Sequence, residues 1–298
     1  MSNSVLNLLN EHVLNHFDAR LVRRSWLDAN TAAAGGGPAF APDTWAMIEL
    51  PSGLLLWIDL GDSGVSLGCL SGMYEGEETA FILGAVKEGG VFVDIGANIG
   101  WFAVQAAGKV GPKGRVIAIE PRARTFQYLT RSMAANNFLG RVELHHCAAG
   151  AEAGRFSIGW NARAGNPGGT WSLPDAGLAQ EFRDMGHQVE EVEVRTLDSI
   201  VAGRHVDVIK IDIEGAEGIA LRGGANTIAQ SRPVILSEIN FTLLPKISGL
   251  SAGDYVRWLE GMGYRCHALE GGAPGAVLNA DNLPAHRVLI NAVFLPVS

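Results

Sequence analysis

The sequence predicts an α/β protein built on a mostly parallel sheet with helices on both faces. From about residue 77 onward, apolar runs of strand length alternate with helical stretches, which is the pattern of a doubly wound sheet. The first strand, VFVDIG, enters a glycine turn that opens a helix. After residue 150 the stretches RFSIGW and QVEEVEVRTL predict an antiparallel insertion between the third and fourth core strands.

The alternation resumes after the insertion and gives about seven core strands. In chain order these are VFVDIG, RVIAIE, RVELHHCAA, VDVIKIDIEG, RPVILSEIN, YRCHAL and HRVLINAVFLP. The predicted helices are ETAFILGAVKEG, WFAVQAAGKVG, ARTFQYLTRSMAANN, LDSIVAG, EGIALRGGANTIAQ and AGDYVRWLEGMG.

The sequence of residues 1–72 lacks the strand–helix alternation of the later chain and predicts an N-terminal extension. Apolar residues recur at helical spacing between Val5 and Leu21, which indicates an amphipathic helix that docks on its own core or on a second subunit of a homo-oligomer. A small-residue stretch, 31–43, precedes two short strands around a Pro51-Ser52-Gly53 turn, which predict a β-hairpin. We therefore divide the chain into this extension and a ligand-binding domain, 73–298.

The composition indicates a protein of the cytoplasm that binds no nucleic acid. The formal charge of −8 argues against broad binding to nucleic acid or anionic membranes, both of which need clustered Lys and Arg. We expect no membrane span and no export signal. The cysteines Cys69, Cys147 and Cys266 lack zinc spacing, and their odd number does not suit a disulfide framework.

The glycine turn DIGANIG predicts a cationic, nucleotide-like ligand. Asn98 stands where a dinucleotide-binding G-x-G-x-x-G would have its second glycine, and Asp94 at the strand tip would repel a diphosphate. S-adenosylmethionine carries a sulfonium and an ammonium but no phosphate. At the tip of the next strand, Glu120 suits the two hydroxyls of an unphosphorylated ribose. The pair of acids therefore indicates S-adenosylmethionine, although each acid alone would also fit a helix cap or a solvated loop.

The segment IKIDIEGAE places several charges at one strand end. Strand alternation puts Lys210, Asp212 and Glu214 on one face, beside the predicted ligand. We expect Asp212 to orient or deprotonate an acceptor hydroxyl and Lys210 to stabilise the developing alkoxide. The structural alternative is a Lys210–Asp212 ion pair that closes the strand, with Glu217 favouring the next helix N-terminus.

The following strand tip, SEIN, offers Glu238 as a second candidate base and Asn240 to orient substrate. Together with Asp212 these oxygens would also suit magnesium. Because Lys210 would repel a dication, a metal is not favoured.

Two further places are candidates for ligand contact. Tyr74 and Glu75 precede the helix that leads to the first core strand and would close over the methionine part of the cofactor; a helix cap with a packed ring is an equal alternative. In the insertion, Trp160, Trp171 and Ser172 would form a wall for the acceptor, unless the tryptophans belong to the core.

The motifs VFVDIGANIGWFAVQAAGKVGPKGRVIAIEP, RTLDSI, VDVIKIDIEGAEGIALRGG and RPVILSEIN, in this order, resemble the FkbM-type family of S-adenosylmethionine-dependent methyltransferases. The resemblance runs from about residue 73 to residue 240. It implies a class I methyltransferase (Rossmann-like) sheet and, most often, methylation of a hydroxyl on a saccharide or secondary metabolite.

Carried over by position, the resemblance implies a set of cofactor contacts. They are Asp94, Gly96, Ala97, Asn98, Gly100, Glu120, Pro121 and Asp212, with Cys147 and Ala148 at the adenine ring. The predicted acceptor contacts are Glu214, Glu217, Asn240, Tyr74 and Trp171.

Three alternatives to an O-methyltransferase stay open at this point. One is an N-methyltransferase of a small molecule, and another is an S-adenosylmethionine-binding module without turnover. The third is a nicotinamide-dependent oxidoreductase, against which the missing G-x-G-x-x-G argues.

Overall fold

A computed structural model describes residues 43–297 except 63, 73, 162–169, 174, 175 and 285. The predicted N-terminal helix lies outside the described residues, and so does nearly all of the small-residue stretch before the hairpin. Both remain predictions, as does oligomerisation through that helix.

The described chain contains fourteen strands in two large sheets and one hairpin. The strands are β1 Trp45–Glu49, β2 Leu55–Asp59, β3 Val91–Ile95, β4 Arg115–Ile119, β5 Val142–His145, β6 Ala148–Ala149, β7 Gly154–Trp160, β8 Trp171–Leu173, β9 Gln188–Arg195, β10 Val208–Ile211, β11 Val234–Asn240, β12 Tyr264–Glu270, β13 Ala273–Leu278 and β14 Leu289–Pro296.

Helices flank these strands. They are α1 Val65–Ser71, α2 Gly76–Ala85, α3 Trp101–Val110, α4 Ala123–Ala135, α5 Ala176–Asp184, α6 Leu197–Val201, α7 Glu217–Arg222, α8 Ala225–Ser231, α9 Leu243–Ser248 and α10 Ala252–Gly261.

The main sheet has eight strands in the order β13-β12-β14-β11-β10-β3-β4-β5. Strands β5, β4, β3, β10 and β11 are parallel neighbours, whereas β14 runs antiparallel between β11 and β12. The chain leaves β3 towards β4 on one side and returns later to β10 on the other. Such a reversal leaves a crevice at the carboxyl ends of the strands, where ligands of open α/β sheets bind.

The eighth strand, β13, was not predicted, and the count of about seven was one too low. It pairs antiparallel with β12 at the edge of the sheet. Its sequence, APGAVL, has Pro274 and Gly275 near its start, and only Leu278 is buried. An edge strand needs neither a buried face nor every backbone N–H, so the apolar alternation that marks a strand is missing.

The predicted antiparallel insertion is confirmed as a second sheet in the order β6-β9-β7-β8. Strands β7 and β9 pair antiparallel along their whole lengths. The predicted third core strand, RVELHHCAA, is divided: β5 belongs to the main sheet and β6 to the second sheet. This segment therefore joins the two sheets at the edge of the crevice.

The predicted hairpin is also confirmed, with Trp45 opposite Asp59 and Glu49 opposite Leu55. It lies against α4, where the Trp45 ring stacks on the Tyr128 ring at 3.4 Å between centroids. Its apolar residues share one core with β3 and α3. The boundary at residue 72 remains a prediction.

The main sheet buries one apolar layer on each face, as a doubly wound sheet requires. Phe92 and Leu236 belong to one layer, and Val93 and Ile235 to the other. By the same alternation, Asp94 and Lys210 lie on the face of Phe92, although both are charged. These two charges sit just below the crevice.

Candidate functional site

A cavity of about 390 Å³ opens at the carboxyl ends of β3, β4 and β10. The turn after β3 forms its floor, and the tip of β4 forms one side. The loop after β10 forms the opposite side, while the insertion and the segment before α2 supply the remaining walls. Its volume suits one ligand of drug or cofactor size.

Gly96 allows the turn after β3 to pack directly against the loop after β10. Its φ is +85°, and a Cβ added there would lie 2.2 Å from the carbonyl oxygen of Asp212. The amides of Gly96 and Ala97 both donate to the Ile119 carbonyl at 3.0 Å. Only glycine fits this position, because any side chain would push the two loops apart.

Gly100 has a different task. Its φ is +99°, and an added Cβ would lie 2.8 Å from a methyl group of Leu129 on α4. This glycine lets α3 approach α4 and does not line the cavity.

Asp94 is fully buried at the end of β3. Neither carboxylate oxygen makes a hydrogen bond of good geometry with another described residue. Burial raises the pKa of Asp94 to about 6; the nearby Lys210 ammonium opposes this shift, while Asp212 and Glu75 add to it. Burial of a carboxylate without a good hydrogen bond is costly, and a polar or cationic ligand group beside Asp94 would lower that cost.

Glu120 follows β4 and lines the cavity. One of its oxygens accepts the Asn98 amide at 3.0 Å and the other the Arg122 amide at 2.9 Å. Burial raises the pKa of Glu120 to about 7, although both hydrogen bonds lower it. Each oxygen of Glu120 still has a lone pair that can accept a hydrogen bond from a ligand hydroxyl. The hydrogen bonds from the two amides fix the orientation of the carboxylate.

Lys210 and Asp212 form an ion pair in the wall opposite Glu120. The Lys210 Nζ lies 3.2 Å from the Asp212 carboxylate and 4.7 Å from the centre of the Phe102 ring. Burial alone would lower the pKa of Lys210, but Asp212, Glu75 and Asp94 raise it well above its ordinary value. Lys210 is therefore a permanent ammonium.

Glu238, on β11, faces the same part of the cavity as the ion pair. Burial and repulsion by Asp212, Glu214, Glu217 and Glu75 raise the pKa of Glu238 to about 8. A carboxylate with this pKa is a stronger base than an ordinary glutamate and changes its charge near neutral pH.

The loop after β10 is organised by Glu217, which is 1% exposed. One of its oxygens accepts the amides of Ile213 and Gly215 at 3.0 and 3.2 Å. Glu214, held at a φ of +55°, lines the cavity, and burial raises its pKa to about 7. Glu217 thus builds the loop that presents Glu214 and Asp212.

Tyr74 and Glu75 close the cavity from the side of α2. A Cβ added at Gly68 would lie 2.5 Å from the Tyr74 ring, and the Trp101 ring meets Tyr74 edge-on at 6.0 Å. Burial raises the pKa of Glu75, while Lys210 and a hydrogen bond from Tyr74 lower it. Glu75 holds a left-handed φ of +44°, a costly conformation for this residue that often marks functional sites.

The insertion supplies one wall of the cavity, which contains the predicted Ser172 and two apolar residues that were not predicted. Phe156 and Ile158 of β7 line the cavity, with Thr170 and Ser172 beside them. The Trp171 ring contacts Phe182, at 5.8 Å between centroids, and does not line the cavity. This contact agrees with the alternative that the Trp171 side chain belongs to the packing of the insertion.

With this geometry described, comparisons with known proteins decide the family. The Methyltransferase FkbM domain profile matches residues 94–266. The chain belongs to the FkbM methyltransferase family. Its main sheet, as described above, is mostly parallel with an apolar layer on each face, which agrees with the sheet that the resemblance implies. The resemblance seen in the motifs is thereby confirmed.

Two curated fungal methyltransferases align with part of this FkbM chain. Methyltransferase 1 of Beauveria bassiana (strain ARSEF 2860) is 29% identical over 145 residues, which are 44% of this chain and 57% of that protein. Methyltransferase sdnD of Sordaria araneosa is 25% identical over 155 residues, or 44% of this chain and 59% of that protein. The match thus spans a little more than half the length of these relatives.

A solved structure, methyltransferase FkbM from Methylobacillus flagellatus KT, is similar to this chain at a TM-score of 0.43 and 18% identity. The alignment covers 78% of this chain and 54% of that one.

The cavity of this FkbM methyltransferase fits the charge of its cofactor. S-adenosylmethionine carries a sulfonium and an ammonium, and the carboxylic acids in the cavity wall are Glu75, Glu120, Asp212, Glu214 and Glu238. Asp94 is buried directly before the cavity residues Ile95 and Gly96. Glu120 has the fixed geometry that a pair of ribose hydroxyls needs. No phosphate-like charge has to be accommodated.

The structure sorts the predicted site residues of this FkbM chain into two groups. Those that line the cavity are Tyr74, Glu75, Gly96, Ala97, Asn98, Glu120, Pro121, Ala148, Ser172, Lys210, Asp212, Glu214 and Glu238. Those that do not are Asp94, Gly100, Cys147, Trp160, Trp171, Glu217 and Asn240.

Three residues of the second group have clear structural tasks instead. Asn240 accepts the amides of Thr242 and Leu243 at 3.1 and 3.0 Å, which caps the turn into α9. Cys147 is a buried free thiol in the core, next to the cavity residue Ala148. Glu217 stabilises its own loop by accepting hydrogen bonds from the amides of Ile213 and Gly215.

The residues that the sequence analysis missed are mostly apolar. Phe156 and Ile158 were detectable, because the alternation of RFSIGW puts both on one face of a strand predicted to lie over the site. Val65 and Trp101 also line the cavity, but nothing in their sequence context distinguishes them from core residues.

The described residues hold no cluster of three or more His, Cys, Asp or Glu side chains arranged for a metal ion. Within the same residues, no helix has the length and apolar character needed to cross a membrane.

Proposed function

We propose that this protein is an O-methyltransferase that methylates a hydroxyl of a saccharide or secondary metabolite. The observation that carries the proposal is the meeting of Glu238 with the Lys210–Asp212 ion pair in one wall of the cofactor cavity. A hydroxyl is a weak nucleophile until it loses its proton, so its methylation needs a base.

The residues around the cavity would hold the cofactor by charge and shape. Asp94 attracts its cationic groups from below, Glu120 binds the ribose hydroxyls, and Ala148 with Phe156 and Ile158 form an apolar slot for the adenine. When bound, the cofactor supplies a methyl group on a positively charged sulfur.

Glu238 is the better base of the two candidates. The Asp212 carboxylate is committed to an ion pair with the Lys210 ammonium, at 3.2 Å. Burial and neighbouring carboxylates instead raise the pKa of Glu238 to about 8. In this proposal Glu238 takes the hydroxyl proton, Asp212 orients the hydroxyl, and Lys210 stabilises the developing negative charge on the oxygen.

A Glu238→Gln substitution tests this assignment. We expect kcat for methyl transfer to fall by roughly 10²–10⁴-fold, the contribution of a positioned base, with unchanged affinity for S-adenosylmethionine. Release of S-adenosylhomocysteine measures the rate, and Glu152→Gln, on an exposed turn, is the control. An undiminished rate, or products methylated only on nitrogen, would overturn the proposal.

Removal of divalent metal ions by a chelator distinguishes the proposed mechanism from a magnesium-dependent one. Because Lys210 would repel a dication, we expect EDTA to leave the rate largely intact. Loss of activity that added magnesium restores would mean that Asp212 and Glu238 bind a metal.

A further inference from the structure

A second cavity, of about 230 Å³, lies beside the cofactor cavity. The two share four residues in their walls: Glu75, Lys210, Asp212 and Glu238. Methyl transfer needs cofactor and acceptor at the same time, and the first cavity has the volume of a single ligand of cofactor size. The acceptor therefore needs room of its own, in contact with the groups that do the chemistry.

The remaining walls of the second cavity come from α2, β10, β11 and β14. Glu78 of α2 accepts a hydrogen bond from the side-chain amide of Asn291, so the two side chains hold each other in place. Ile211, Leu236 and Leu289 give an apolar side. Leu289 is 41% exposed and lines only the second cavity, so it marks the mouth of this cavity.

The charge of the second cavity is one-sided above about pH 8, where Glu238 is ionised. Four carboxylic acids, Glu75, Glu78, Asp212 and Glu238, then face one ammonium, Lys210. A cleft lined by one sign of charge focuses its field, which concentrates ligands of the opposite sign and repels those of the same sign.

We propose that this second cavity is the acceptor subsite, and that it takes a hydroxyl compound that carries an ammonium group or no charge. Acceptors with a carboxylate or phosphate beside the reacting hydroxyl are excluded. The proposal rests on the proposed O-methyl transfer and adds Glu78 as a residue that determines specificity, since Glu78 lines only the second cavity.

The charge preference is measurable without knowing the natural acceptor. All three native cysteines are buried, so Leu289→Cys gives one accessible thiol at the mouth. We would compare its rates of reaction at pH 9 with 2-(trimethylammonium)ethyl methanethiosulfonate, a cation, and 2-sulfonatoethyl methanethiosulfonate, an anion, by mass spectrometry. Leu139→Cys, at a residue 54% exposed and outside both cavities, is the control.

We expect the cation-to-anion rate ratio to be about tenfold or more higher at position 289 than at position 139, as field focusing predicts. Adding Glu78→Gln to Leu289→Cys should remove part of that excess. Equal ratios at the two positions would overturn the charge preference.

A second measurement tests whether the cavity holds the acceptor. Leu289→Cys labelled with the cationic reagent is compared with the same variant unlabelled, with methyl glucoside, glucosamine and glucuronate as acceptors. We expect the label to leave S-adenosylmethionine binding unchanged and to abolish turnover, and the unlabelled variant to reject glucuronate.

Full turnover by the labelled variant would overturn the subsite and leave the O-methyltransferase function standing. If the wild-type protein methylates no hydroxyl in any of these acceptors, that result counts against the proposed function, while the two labelling ratios still decide the charge preference.

Discussion

A buried carboxylate without a hydrogen bond of good geometry lowers the stability of a fold, and Asp94 is such a residue. The negative charge of Asp94 is partly balanced by the ammonium of Lys210. Lys210 lies opposite Asp94 on β10 and also forms an ion pair with Asp212. The fold therefore keeps a negative charge that it satisfies only in part. A cationic ligand above β3 would supply the rest.

At Glu238 the raised pKa leads to a prediction about rate and pH. A base must be deprotonated to act, so kcat should rise with pH and level off above about pH 8. Initial rates between pH 6 and 9.5 measure the profile. Glu238→Gln should lose this rise along with most of its activity; a wild-type rate that is flat or falls over this range would contradict the assignment.

Charged residues on strands were the best-predicted part of the site. Strand alternation determines the face of the sheet on which Lys210 lies, and the end of the strand determines the position of Glu120. The sequence alone is therefore sufficient to predict where both side chains lie. In loops the sequence was insufficient, because the side chains of Glu217 and Asn240 accept hydrogen bonds from nearby backbone amides. A sequence does not show whether a loop carboxylate or amide faces a ligand or its own backbone.

The turn after β3 and the loop after β10 act as one element because Gly96 joins them. Asp212 donates its amide to the Ile95 carbonyl at 3.2 Å, and its carbonyl oxygen occupies the space where a Gly96 side chain would be. Asp212 is thus placed by the same contact that shapes the cofactor turn.

Gly96→Ala should therefore damage binding and stability together. Backbone strain at a positive φ alone costs about 1–3 kcal/mol, which lowers Tm by roughly 2–4 °C per kcal/mol in a domain of this size. We also expect S-adenosylmethionine binding to be lost in calorimetry.

The matched control for Gly96→Ala is Gly84→Ala. Gly84 lies in α2 with nothing within 4 Å of an added Cβ, and alanine in a helix is favoured over glycine. Its Tm should stay the same or rise, and its cofactor affinity should not change. If both variants behave alike, the contact between Gly96 and Asp212 does not hold the site together.

Most predicted helices and strands are confirmed, and two of the failures have clear structural causes. The predicted helix EGIALRGGANTIAQ is two helices, α7 and α8, which meet at Gly223 and Gly224. A Cβ at Gly223 would lie 2.0 Å from the Gly150 carbonyl oxygen, so a segment distant in sequence decides the break. Helix α5 was missed because it lies within an insertion that was read as strands and loop.

Around the cavity, six carboxylic acids have raised pKa values, with burial as the largest cause in each case. The pKa of Glu75 is raised, and the values of the other five are about 6 for Asp94, about 7 for Glu120, Glu214 and Glu217, and about 8 for Glu238. Each holds its proton more tightly in the folded than in the unfolded chain. Their contribution to the free energy of unfolding is therefore present at low pH and lost as the pH rises through the folded-state values.

The Tm of the protein without cofactor should accordingly fall between about pH 5 and pH 8.5. His145, whose pKa is lowered by burial, opposes this trend near pH 6 as a single group. S-adenosylmethionine favours the charged carboxylates, so it should raise Tm more at pH 8 than at pH 5.5. Differential scanning fluorimetry at both pH values, with and without cofactor, measures this; a Tm that rises with pH would contradict it.

The central claim is that buried negative charge beneath the glycine turn holds a cationic cofactor. Calorimetric titration of S-adenosylmethionine into wild-type protein and into Asp94→Asn, which keeps the shape and removes the charge, tests it most directly. We predict at least about tenfold weaker binding, or about 1.4 kcal/mol, in a variant whose cofactor-free Tm is unchanged or higher. Equal affinity of the two proteins would contradict the claim.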